Sequence, residues 1–247
     1  MTGPVIAGAV GIAFLAAGTQ SLTGFGFALV MVPLLSLIWD VKLAVVTSAL
    51  LSTVAILPLT VEIRRSIRLR KVVPLILGSL LGIPAGIVIL DRIHPEALKI
   101  MVAAVVIAAS VILYFAPRIR WEGGGVGSPM LAGMLSGMLR ASTSMGGPPA
   151  VLYLLSREKQ IEEFRSTLLA FFLPSSLLTV IGLTIAGRMT PEVLETSAVA
   201  LPALAVGLLA GAWLRSRVQQ EMFQTLVLAV LVFTSIGVIV SASGSLA

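Results

Sequence analysis

The chain contains no cysteine, which excludes disulfides, thiolate metal sites and a cysteine nucleophile. Its one histidine, His94, adjoins Pro95 and reads as a solvated loop residue. Charge is scarce: Asp, Glu, Lys and Arg make up 11% of the 247 residues, against about 25% in soluble chains. With 57% hydrophobic residues and a mean hydropathy of +1.07, this is a membrane composition. No acid lies inside an apolar stretch; all eleven fall in predicted loops or at span ends. Cation sites and proton relays in membranes need buried carboxylates, so a metal or sodium transporter is disfavoured. An enzyme is disfavoured too. Ser142 or Ser144 would lack an evident base, and neither a metal nor a cofactor is predicted. No Lys or Arg precedes Lys42, so the basic region of a secretory signal is missing. Four arginines fall within 64–70, but no aromatic residue interleaves them, which argues against nucleic acid. The net charge of +6 reports orientation in a bilayer instead.

Long uncharged runs are what the chain has in place of these. A spanning helix needs about 20 apolar residues. The spacing of charges predicts ordinary spans at 43–61, 72–90, 100–117, 166–187, 196–214 and 222–242. Two further apolar segments, 4–38 and 129–155, are interrupted by glycine and proline. The first break reads Gly18-Thr-Gln-Ser-Leu-Thr-Gly-Phe-Gly26, and the second Arg140-Ala-Ser-Thr-Ser-Met-Gly-Gly-Pro-Pro149. Trp39, Trp121 and Trp213 lie near predicted span ends, as interfacial anchors do.

The chain duplicates at an offset of 125, with nine identities over 82–110. Gly82, Gly86, Arg92 and Glu96 pair with Gly207, Gly211, Arg217 and Glu221. The breaks need a gap of about four residues, which pairs Gly26 with Gly147. The expected fold is therefore an all-α polytopic membrane protein of two repeats, 1–120 and 125–247, joined by the loop 118–125. Each repeat is one broken segment followed by three spans.

Loop charge discriminates two topologies. If both broken segments cross the membrane, Lys and Arg divide 8 to 8 between the two sides, with Arg140 left out. If both are re-entrant hairpins, the split is 12 to 4 and the repeats are inverted. Only the second has a positive-inside bias. It puts loops 62–71, 117–128, 156–165 and 215–221 in the cytoplasm and both termini outside. Segment 4–38 would also be roughly 52 Å long as one helix, against a hydrocarbon core of about 30 Å. Two half-helices meeting near the midplane fit better.

Broken helices within a membrane leave backbone groups that lipid cannot satisfy, so they line cavities or lie buried in protein. Paired breaks in two repeats point to a substrate site. Arg140 is the one charge inside an apolar segment, and its guanidinium suits an oxyanion. Snorkelling to an interface, or stabilising the C-terminal end of a half-helix, are the rival accounts. Gln20, Ser21, Thr23, Ser142, Thr143 and Ser144 offer polar donors at the breaks. Gly24, Gly26, Gly146 and Gly147, with Pro148, allow backbone to approach a ligand. Helices should restart near Phe25 and near Pro149, presenting N–H groups to an anion. Gly82, Gly86, Gly207 and Gly211, at spacing four, are better explained by close helix packing.

Thr23-Gly-Phe-Gly-Phe-Ala-Leu-Val-Met-Val-Pro-Leu-Leu35, together with Gly133, Gly137 and Gly146-Gly-Pro-Pro-Ala-Val-Leu-Tyr-Leu-Leu155, resembles the TauE/SafE sulfite-exporter family, also called the toluenesulfonate uptake permease family. The resemblance covers essentially the whole chain. It implies a secondary transporter of sulfur-containing anions, such as sulfite or an organosulfonate, in a bacterial-type cytoplasmic membrane. Many members carry three glycines in the first motif; here Phe25 and Phe27 flank Gly26, as in organosulfonate-type members. Either phenylalanine could then contact an organic tail. An anion channel, or a carrier of another small organic anion, is the alternative. Direction, proton or ion coupling and oligomeric state are left open by the resemblance.

Overall fold

The computed structural model describes residues 3–63, 69–115, 128–158, 160–215 and 217. The expected span 222–242, loop 118–125, positions 116–117 and most of the arginine run, 64–68, lie outside the described residues. So do Trp121, Glu122 and Glu221. Among the described residues every regular element is a helix: α1 (Gly3–Thr23), α2 (Phe27–Ser36), α3 (Val41–Ile63), α4 (Leu69–Arg92), α5 (Pro95–Phe115), α6 (Pro129–Thr143), α7 (Gly147–Leu155), α8 (Ile161–Ile185) and α9 (Pro191–Arg215). Six are long and apolar enough to cross a membrane: α3, α4, α5, α8, α9 and also α1, over Ile6–Thr23.

The breaks fall where glycine and proline predict them. Helices restart at Phe27 and Gly147, two residues after and two residues before the expected points. The two arms of each break are unequal. In the first, 21 residues precede the break and 10 follow; in the second, 15 precede and 9 follow. In both, the longer arm comes first.

Ile38, past the end of α2, lies against Gly8 near the start of α1. Pro129 at the start of α6 shares a cavity with Tyr153, Leu154 and Arg157 at the end of α7.

Glycines set the closest helix contacts. A methyl at Gly78, Gly82 or Gly86 of α4 would overlap the main-chain oxygen of Met130, Met134 or Met138 in α6. Gly133 and Gly137 of α6 return the contact against Leu75 and Ser79. In α9, Gly207 and Gly211 meet the main-chain oxygens of Phe14 and Gly18 in α1. The glycines paired by sequence at offset 125 thus make the same kind of contact. Each full helix packs on the broken segment of the other half.

Ion pairs gather the helix ends into two sets. At one end Lys71 pairs with Glu158 (2.7 Å) and Glu163 (3.3 Å), and Arg165 pairs with Glu62 (3.8 Å). At the other, Arg188 pairs with Asp91 (2.7 Å), while Lys42 donates to the Asp91 carbonyl (3.0 Å). Glu62 and Lys71 therefore share one end with Glu158, Glu163 and Arg165, and Lys42 and Asp91 share the other with Arg188. α3 and α8 pack together between the broken segments, and their middles form one wall of the site.

Candidate functional site

The first break is built from Thr23 to Gly26. Gly24 and Gly26 have φ of 83° and 102°, a left-handed backbone open to glycine at little cost. The Gly24 N–H donates to the Gln20 carbonyl (2.8 Å), which closes α1. The Phe25 N–H donates to the Thr23 hydroxyl oxygen (3.3 Å), which turns the chain. α2 then opens at Phe27, with Gly26 as a cap that has no side chain to offer. Its N–H groups at Phe27, Ala28 and Leu29 precede the first intrahelical bond, Val30 N–H to the Gly26 carbonyl (3.2 Å).

The second break repeats this chemistry. The Ser144 N–H donates to the Arg140 carbonyl (2.8 Å), and the Met145 N–H to the Thr143 hydroxyl oxygen (3.3 Å). These bonds match Thr23 with Thr143, Gly24 with Ser144 and Gly26 with Gly146. The pairing of Gly26 with Gly147 expected from sequence is corrected by one residue. A glycine doublet lets identity matching slip, whereas hydrogen bonds do not. Ser144 takes the left-handed backbone here, with φ 65°, and is the one non-glycine residue among those described to do so. The Ser136 hydroxyl donates to the Gly146 carbonyl and holds the tip against α6. α7 opens with Pro148 and Pro149, which have no N–H, so this tip offers fewer amide donors than the first.

The tips touch. A methyl built on Gly147 would lie 3.7 Å from the Phe25 ring and 3.8 Å from the Phe172 ring. Between them is a cavity of about 40 Å³. Its lining includes Gln20 and the first turn of α2 on one side, and Arg140, Ser144, Met145, Gly146 and Gly147 on the other. Ser52, at the middle of α3, Ile56 and Phe172, near the middle of α8, close it.

Arg140 is 7% exposed. Among the described residues no carboxylate pairs with it, and its Nε has no hydrogen-bond partner. Its guanidinium carbon stands 4.7 Å from the centre of the Phe172 ring. A desolvated cation–π contact contributes about 2 kcal/mol, less than the several kcal/mol it costs to bury an ion. The Ser144 hydroxyl is also buried without a partner. An anion in the cavity would answer both groups. The snorkelling account fails for Arg140, since its side chain ends in the protein interior rather than at a surface.

Eight of the expected site residues line the cavity: Gln20, Phe25, Gly26, Phe27, Arg140, Ser144, Gly146 and Gly147. Six do not. Ser21 packs against Gly211 of α9. Thr23 donates to the Thr19 carbonyl (2.9 Å) and caps the turn. Gly24 lies against Arg165. Ser142 and Thr143 donate back to the Met138 and Leu139 carbonyls (2.8 and 2.7 Å). Pro148 is buried in the first turn of α7. A hydroxyl on a helix readily bonds the carbonyl four residues earlier, which removes it from a site. Ser52, Ile56 and Phe172 were missed, because nothing in an apolar span distinguishes a residue facing a cavity from one facing a neighbour. The one available signal is that Ser52 and Phe172 stand 120 residues apart, the spacing of Thr23 and Thr143.

No curated protein and no solved structure matches the chain. The family model described as sulfite exporter TauE/SafE matches residues 9–238, almost the whole length. Together with the apolar helices, that match makes this a membrane transport protein for sulfur-containing anions, and the chain belongs to the TauE/SafE family.

Proposed function

We propose that the protein is a secondary transporter that holds a small sulfur oxyanion between the two breaks. Arg140 is the observation that carries this reading: a buried cation, without a carboxylate partner among the described residues, lining a cavity formed by both breaks. Its guanidinium would bind two oxygens of the anion in a bidentate pair. The first-turn N–H groups of α2 and the partial positive charge there would take a third. Gln20 and Ser144 supply neutral donors. A cavity of about 40 Å³ favours sulfite-sized anions over an aryl sulfonate in this conformation. Phe27, 1% exposed, belongs to the core, which argues against a role on an organic tail.

Two re-entrant hairpins in inverted repeats complete the reading. The helix-end ion pairs support it, since they join loops that a two-span topology would put on opposite sides. On this reading the basic end faces the cytoplasm, and the two packed units, α1–α2–α9 and α6–α7–α4, move past α3 and α8 to alternate access.

The test is counterflow in proteoliposomes with labelled sulfite. A carrier accumulates label transiently against an unlabelled load, and the Arg140→Ala variant does not. Flux without saturation or counterflow would make the protein a channel. Absence of binding of any sulfur oxyanion by calorimetry would sink the substrate claim.

A further inference from the structure

A second cavity, of about 430 Å³, opens at the basic end between the start of α4, the start of α6 and the end of α7. Four charged side chains line it: Arg70, Lys71, Arg157 and Glu158. Lys71 and Glu158 answer one another, with Nζ at 2.8 and 2.7 Å from the two carboxylate oxygens. Arg70 and Arg157 are exposed, and among the described residues neither pairs with a carboxylate. The backbone that carries Arg157 is pinned, because the N–H groups of Arg157 and Glu158 both donate to the Leu154 carbonyl (3.0 and 2.8 Å). The Arg157 guanidinium stands 5.9 Å from the centre of the Tyr153 ring. With Glu158 already answered by Lys71, two guanidinia without a carboxylate partner among the described residues fit an oxyanion.

The rest of the cavity is apolar. Pro74, Pro129 and Leu154 form its walls. The two helices that bound it, α4 and α6, also carry exposed apolar side chains in the turns nearby in sequence, among them Val73, Leu77, Leu131 and Leu135. In a membrane protein such side chains face acyl chains. The volume is also about ten times that of the central cavity, far more than one inorganic anion fills.

The feature is not a by-product of duplication. At offset 125, Arg70 corresponds to Glu195 and Lys71 to Thr196, so the equivalent end of α9 carries no such cations.

From this geometry we infer that the cavity is a binding site for a phospholipid with an anionic headgroup, held by Arg70 and Arg157 with its tails along α4 and α6. The phosphodiester supplies the oxyanion and the acyl chains cover the exposed apolar side chains. Basic pockets between spanning helices at the cytoplasmic surface recognise lipid headgroups in this way.

Native mass spectrometry of the full chain tests this, with phosphatidylglycerol, phosphatidylcholine and the tail-less glycerol phosphate as probes. Phosphatidylglycerol should be retained in preference to phosphatidylcholine. The double variant Arg70→Ala/Arg157→Ala should hold it roughly ten- to thirty-fold more weakly, with no change for phosphatidylcholine. Both arginines are exposed, so the variant is expected to fold; the Arg70→Lys/Arg157→Lys pair keeps the charge and should retain most of the preference. Equal retention of the two lipids, or full retention by the alanine variant, overturns the proposal. So does glycerol phosphate binding as tightly as the lipid through the same arginines, which would make this an aqueous anion site.

Discussion

Gln20 and Arg140 stand at equivalent points of the two breaks. The carbonyl of each accepts the N–H that closes its helix, from Gly24 and Ser144 respectively, both at 2.8 Å, and both side chains line one cavity. Two polar residues at matching points of the breaks therefore line one cavity. One of them, a neutral amide, can pair with many ligands. The other cannot lose its charge and calls for an anion.

Replacing Arg140 by Gln makes the two tips alike and removes the cation. The protein should fold, because the residue has no carboxylate partner among those described. Sulfite binding measured by calorimetry should weaken roughly ten- to a hundred-fold, the loss of a charged hydrogen bond of about 1.5–3 kcal/mol. Arg140→Lys should recover part of the affinity. Unchanged affinity in Arg140→Gln would assign the residue to packing on Phe172 instead.

The turns make opposite predictions about backbone strain. Gly24→Ala puts a Cβ at φ 83° and should lower stability by about 1–2 kcal/mol. Ser144→Gly relieves a left-handed serine and should raise it by about 1 kcal/mol. The second change also removes a cavity hydroxyl, so anion affinity should fall while the unfolding midpoint rises. Thermal unfolding in detergent, with and without sulfite, separates the two effects.

Close packing by glycine is testable at symmetric positions. Gly82→Ala and Gly207→Ala each push a methyl into backbone of the partner helix and should cost about 1–3 kcal/mol. Gly11 meets nothing within 4 Å, so Gly11→Ala should be neutral or slightly stabilising. Similar losses at all three sites would deny that helix contact is the cause.

The absence of cysteine makes topology directly measurable. Single cysteines at Leu69 and Gln160 should react with an impermeant thiol reagent from the same side of the membrane, and one at His94 from the other. Reaction of the first two from opposite sides would rule out paired hairpins.

Much of this protein is legible in its sequence. Composition alone makes it a membrane protein, since soluble folds do not survive on so little charge. The uncharged runs mark α3, α4, α5, α8 and α9, with ends shifted by a few residues, because helices extend past the apolar limit into charged turns such as Leu69–Lys71. Glycine at Gly24 and Gly26 marks the first break, because that backbone conformation is costly for other residues. The second break was less plain: Ser144 holds the equivalent conformation, and serine carries no such mark. Helix lengths around the breaks were not legible, since the arms differ while the hydropathy does not.

Residue type and spacing alone give the solvent, the helical class, the family and the one cation inside an apolar segment. Which residues meet depends on how the helices pack. Ser21 and Thr23 stand beside Gln20 in the chain, yet one faces α9 and the other caps its own turn, while Phe172 reaches Arg140 from a helix far away in sequence. The physical reason is that a helix turns about 100° per residue. Neighbours in sequence therefore face different partners, and a cavity is assembled from single residues on many helices.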